Sequence, residues 1–245
     1  MRYAIISDIH GNLAAFQAVL QDIGERGGVE RIWCLGDIVG YGPDPRECIA
    51  LLRGYDHICV AGNHDWGAID KIDTEDFNAE AAAACRWTGQ QLSPQDADYL
   101  ANLPLIITEG DFTLAHGSPR EPIWEYLVST HNAKVSFDYF QTKFCLVGHS
   151  HVPVVFEYLP DRGECFLREF AQDEILKLGG NRLIINPGGV GQPRDGDPRA
   201  SYAIYDNNSN VIWHYRVPYD ITITQQRMKE FGLPRRLATR LSHGW

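Results

Sequence analysis

No uninterrupted apolar run in the chain approaches the roughly 18 residues that a membrane helix requires, which argues against a spanning segment. CxxC pairs are missing as well. The six cysteines (Cys34, Cys48, Cys59, Cys85, Cys145, Cys165) stand apart, and four fall in expected strands, where Cys behaves as a small hydrophobe. A disulfide framework is therefore not expected, and a reducing, cytoplasmic location is. Basic residues are in deficit: 22 Lys and Arg face 32 Asp and Glu, a net charge of −10. That balance excludes a protein that grips long nucleic acid through a basic surface. A cleaved leader is not expected either, because the first strand begins near Arg2 and the polar pair Asp8 and His10 follows at once. Internal repeats, low-complexity tracts and linkers are all missing, so one domain over 1–245 is the expected organisation.

What the chain does have is a recurring unit, a short apolar run that ends in polar residues. It occurs at YAIISDIH (3–10), WCLGD (33–37), CVAGNHD (59–65), TLAHG (113–117) and CLVGHSH (145–151). A sixth copy, LIINPGG (183–189), ends in glycine without such residues. The first half alternates strand and helix, with Asn12 as the N-cap of a helix carrying Leu13, Phe16, Val19, Leu20 and Ile23 at helical spacing. A strand over 31–35, a Gly/Pro-rich loop over 36–45, a helix over 46–52 and a strand over 57–61 complete a βαβαβ order. That order implies an α/β class with largely parallel pairing. Residues 66–103 read as a helical insertion, with Ser93 capping a helix before Pro94; it serves either as a cap beside a site or as a helical pair packed on the sheet. Strands prevail from 105, a hairpin joins 201–205 to 211–217 through DNNSN, and a helical tail over about 222–245 is broken at Gly232 and Pro234.

In α/β sheets the carboxyl ends of strands build the site, so five polar turns point to one shared pocket. Each is weak alone: Asp8-x-His10 is ordinary loop chemistry, Gly-Asp at Asp37 is common in turns, and His116 alone reads more readily as a hydrogen-bonded histidine near the core than as a ligand. GHSH places His149 and His151 on one side of an extended segment, where both can face a cation. Together, carboxylates, an amide and imidazoles make a donor set for a metal. Imidazole nitrogen disfavours Mg²⁺ and Ca²⁺, so the expected ions are Mn, Fe, Zn, Co or Ni.

DxH, GD, GNH(D/E), a later H and GHxH, all present in this order, make the sequence resemble the calcineurin-like metallophosphoesterase superfamily along essentially its whole length. GDIVGYGPDP and NPGGVGQPRDGDPRASY resemble its bacterial phosphodiesterase branch. The resemblance implies two helix-flanked sheets packed as a sandwich and a binuclear site. Asp8, His10, Asp37 and His151 would take the first ion, and Asp37, Asn63, His116 and His149 the second. The implied reaction is phosphodiester hydrolysis of a small phosphorylated substrate by a metal-bridging hydroxide. His64 is the candidate to protonate or stabilise the leaving oxygen, and Asp65 either orients His64 or serves as a helix N-terminal acid.

Protein phosphatases of this superfamily carry GDxVDRG, whose second Asp supports the histidine and whose Arg binds phosphate. Gly40 and Tyr41 occupy those positions here, which disfavours a phosphoprotein substrate. Replacement phosphate ligands are sought in Arg194 or Arg199, each equally readable as a surface ion pair, or in the backbone N–H groups of Gly188 and Gly189. A second ester group is expected beside Trp66 and the insertion. Competing functions are a nucleotide or dinucleoside polyphosphate hydrolase, a phosphomonoesterase, and a non-catalytic scaffold resembling the retromer subunit of this fold. That subunit departs from the motif at the histidine of GNH, which this chain keeps as His64.

Overall fold

The computed structural model describes residues 1–245 as two six-stranded mixed sheets packed face to face and flanked by helices. The first sheet begins with β1 (Arg2–Ile6), β2 (Arg31–Cys34) and β3 (His57–Cys59), which pair in parallel. They are linked by α1 (Leu13–Glu25) and α2 (Pro45–Arg53). Asn12 caps α1 by accepting the Ala15 N–H, as the sequence predicts. α3 (Asn63–Gly67), α4 (Ala79–Gln91) and α5 (Pro94–Ala101) follow, the last opened by a Ser93–Asp96 capping box.

The second sheet takes β4 (Ile106–Glu109), β5 (Phe112–Ala115), β6 (Phe144–Leu146), β7 (Val154–Leu159), β8 (Glu164–Glu169) and β10 (Arg182–Asn186), with α6 (Thr130–Ser136) on its outer face. The strands β9 (Ile175–Lys177), β11 (Ala200–Asp206) and β12 (Val211–Val217) return to the first sheet, where β11 runs antiparallel to β1. The hairpin holds the register Tyr205 to Ile212. Helices α7 (Ile221–Glu230) and α8 (Arg235–Arg240) follow, parted at Gly232 and Pro234 as expected.

Between the sheets, Ile5, Trp33, Leu35, Phe112, Leu114, Phe144, Leu146 and Ile185 form a closed apolar layer. A second layer packs α1, α2 and α5 on the outer face of the first sheet. A third cluster joins Ala81 and Ala84 of α4 to Met228, Leu233, Leu237 and Leu241 of the tail, with Tyr41 among them. Insertion and tail thus share a core, about 150 positions apart in the chain, directly over the loop that follows β2. None of the cysteines is bonded to another, and no helix is long and apolar enough to cross a membrane.

Candidate metal centre

Parallel β1, β2 and β3 in one sheet and β5 and β6 in the other bring five carboxyl-terminal turns to one edge of the sandwich. Asp8, His10, Asp37, Asn63, His116, His149 and His151 all converge there and are all buried. Five of the seven, Asp8, His10, Asp37, His149 and His151, sit at φ between 50° and 63°. That left-handed backbone is costly for a residue bearing a Cβ and is found where surrounding structure fixes a functional group. Polar residues after apolar strands could be read from the chain; this shared backbone conformation could not.

The ligand atoms face one another. His10 Nδ1–H donates to Val39 O at 3.1 Å and His151 Nδ1–H donates to the carbonyl of Gln192. Both Nε2 atoms are left as acceptors, yet they lie 3.1 Å apart. Two lone pairs at that distance repel unless a cation lies between them. Asp8 Oδ1 lies 3.3 Å from His151 Nε2 and completes this group. On the other side His116 Nδ1–H donates to Leu35 O at 2.7 Å. Its Nε2 meets Asn63 Oδ1 and His149 Nδ1, each at 3.1 Å. Asp37 Oδ2 stands between the groups, 3.5 Å from His10 Nε2 and 3.3 Å from His116 Nε2. Separations of roughly 3–3.5 Å are the polyhedron edges expected of ligands about 2.1 Å from a transition metal.

Buried charge points the same way. Asp8 Oδ1 and Asp37 Oδ2 are buried without a hydrogen-bond partner, an arrangement that disfavours folding unless a positive charge compensates. Burial pushes the Asp8 carboxyl up to about 7 and the imidazoles of His10, His149 and His151 well below their usual range. Neutral imidazole is the ligating form. Burial also opposes charge on His116, yet the adjacent Asp37 carboxylate raises this imidazole to about 9. The donor set fits two divalent transition metals.

The remaining Asp37 oxygen, Oδ1, accepts the His64 N–H at 2.8 Å. Gly62 is required there, because a Cβ would fall 2.0 Å from that oxygen. One ring nitrogen of His64 lies within 4.8 Å of ligand atoms of His10 and Asp37, and burial pushes this imidazole down to about 4. Its ring packs against Tyr41 at 4.3 Å and Phe77 at 4.7 Å, with Nδ1 buried and unpaired. Gly40, at φ +90°, closes the other side: a Cβ would lie 2.6 Å from His64 Nδ1. Packing and a glycine thus hold the histidine in place.

The contacts place the remaining candidate residues. Asp65 makes no bond to His64; its carboxylate accepts from the N–H groups of Asp37 (2.8 Å), Gly62 (3.0 Å) and Val39 (3.2 Å). It is therefore the acid at the start of α3 and ties two ligand turns together. Arg199 is paired with Asp197 two residues away and does not reach the centre, the surface-pair reading. The Gly188 N–H donates to Asn186 Oδ1 at 2.8 Å, so it is not free for phosphate. Gly189 packs on His151, and the loop buttresses the DxH turn through Val190 N–H to Ser7 O and Gly191 N–H to Asp8 O, each at 2.9 Å. Trp66 packs in the core with its indole N–H donating to Leu100 O at 3.2 Å, away from the centre. Arg194 does stand at the site, reaching Gln192 Oε1 at 3.2 Å and the Tyr41 hydroxyl at 3.5 Å. Tyr41, which stands in the GDIVGYG loop, packs on His10 at 4.6 Å, and Tyr126, stacked on His149 at 3.8 Å, has no sequence signal beyond being aromatic in a loop.

A family profile described as the calcineurin-like phosphoesterase superfamily domain matches residues 1–210. The crystal structure of a metallophosphoesterase from Sphaerobacter thermophilus is 47% identical and superposes with a TM-score of 0.90, covering 100% of this chain and 99% of that one. An uncharacterized protein of Methanocaldococcus jannaschii is 42% identical over 246 residues, 98% of this chain and 97% of its own. Similarity to the symmetrical bis(5'-nucleosyl)-tetraphosphatase of Pseudomonas putida is confined to 87 residues at 29% identity, 32% of this chain and 30% of that enzyme. The chain belongs to the calcineurin-like phosphoesterase superfamily and is a metal-dependent phosphoric ester hydrolase.

Proposed function

We propose that this phosphoesterase hydrolyses phosphodiesters of small molecules, with residues 1–245 acting as one catalytic unit and the insertion and tail walling its site. The observation that carries the reading is the position of Asp37 Oδ2, shared at 3.5 Å and 3.3 Å between two inward-facing ligand groups. Asp8, His10, Asp37 and His151 would hold one ion, and Asp37, Asn63, His116 and His149 the other. Bound there, two divalent transition ions supply Lewis acidity to phosphoryl oxygens and lower the pKa of water.

The residues of the chain do the rest. His64 donates a hydrogen bond to the leaving oxygen through its ring N–H, a role open to a neutral imidazole. Asp65 acts on positioning, by fixing the amides of Asp37 and Gly62. Arg194, whose guanidinium reaches the Tyr41 hydroxyl, offsets phosphate charge. Tyr41 fills the place of the arginine that protein phosphatases use, so the site gains less from the second charge of a monoester. Six unbonded cysteines support a reducing, cytoplasmic setting.

Kinetics on p-nitrophenyl phosphate and bis(p-nitrophenyl) phosphate under saturating Mn²⁺ test the reading. The expected result is a higher kcat/KM for the diester. A clear monoester preference refutes it, and loss of that preference in Arg194→Ala would identify the cause.

A further inference from the structure

Beside the metal centre lies a cavity of about 530 Å³, within the roughly 300–1,000 Å³ typical of ligand sites. Its inner wall is Tyr41 and Tyr126, whose rings touch His64 and His149. Glu80 of α4 and Arg194, Arg236 and Arg240 are the charged residues of its lining. A chain with a net charge of −10 has therefore placed three arginines against one glutamate around this space. Arg236 approaches Glu80 at 3.9 Å. Neither Arg194 nor Arg240 pairs with an acidic side chain: the first meets only the neutral oxygens of Gln192 and Tyr41, and its Nε is buried and unpaired. Arg240 donates to the carbonyl of Trp245. Burial and the nearness of Arg194 both disfavour charge on Arg240. Two neighbouring guanidiniums with no acidic side chain bonded to either are eased when an anion arrives, and their planar forks suit phosphate oxygens.

We propose that this cavity is an anion subsite that receives a second phosphate carried by the non-scissile half of the substrate, recognised by Arg194 and Arg240. The inference rests on the diesterase reading and narrows its substrate to molecules bearing a phosphate beyond the one attacked. Tyr41 separates the two positions, and the insertion and tail, in contact over them, each supply part of the wall.

Two chromogenic esters with the same scissile bond test it: thymidine 5'-(p-nitrophenyl phosphate) with and without a 3'-phosphate, under saturating Mn²⁺. The 3'-phosphorylated ester should be turned over with a kcat/KM about tenfold higher or more, the scale of one charge-assisted hydrogen bond. Arg240→Gln should collapse that ratio. Equal values for the wild-type protein overturn the subsite and leave the diesterase reading standing. Cleavage of neither ester defeats the diesterase reading, and calorimetry then decides the subsite. Adenosine 3',5'-bisphosphate should bind about tenfold more tightly than adenosine 5'-monophosphate, with the gap lost in Arg240→Gln; equal affinities reject it.

Discussion

The His64 N–H donates to Asp37 Oδ1 at 2.8 Å, while the other oxygen of the same carboxylate faces both ligand groups. One side chain therefore couples the metal centre to the backbone of the residue placed at the leaving group. Its removal should affect more than one function at once.

Asp37→Ala should bring metal content from two ions per chain to well below one, because both groups lose their shared oxygen. Elemental analysis of the purified variant checks this. Two ions retained would sink the bridging assignment.

His64→Ala should keep both ions and the fold but lower kcat by about 10²–10⁴. The deficit should be smaller for esters of p-nitrophenol than for alkyl esters, whose leaving oxygens need more stabilisation. An equal deficit on both would assign His64 to substrate binding instead.

Gly40→Ala puts a methyl group 2.6 Å from His64 Nδ1 at a backbone φ of +90°. We expect at least about 1 kcal/mol of lost stability from the backbone alone. Since His64 must shift, kcat should fall while metal content holds. Wild-type turnover in this variant would show that the packing around His64 does not position it.

His214 lies outside the centre, fully buried in β12, with its ring 2.7 Å from Ser201 Oγ and 3.0 Å from Ala171 O. Burial pushes it down to about 4 from an ordinary 6.5. The unfolded chain then binds the proton more tightly, so stability is complete above about pH 6.5 and is lost as pH falls toward 4. Between pH 7 and pH 5 the wild-type protein should lose about 2 kcal/mol more than His214→Asn, measured by urea denaturation under equal metal. The same pH dependence in both proteins would count against a neutral buried His214.

Asp8, His10, Asp37, Asn63, His116, His149 and His151 could be named from the chain because each follows an apolar run with its motif partners adjacent. The caps at Asn12 and Ser93 and the break at Gly232 and Pro234 are local for the same reason: backbone preference and hydrogen bonding act over a few residues. Asp65, Arg194 and Arg199 each carry two readings in the sequence, since an acid or guanidinium looks the same there whether it meets an amide, a neighbour or a ligand. Only the tertiary structure gives Asp65 three amides, Arg199 its neighbour Asp197, and Arg194 the cavity. The turn of the Trp66 indole toward Leu100 O depends on α3 docking against α5, which no local rule sets. The cavity wall is the furthest from any local rule: Tyr41 meets α4 and, nearly 200 residues on, α8. That contact depends on how two helical segments, distant in sequence, bury apolar faces that neither can cover alone.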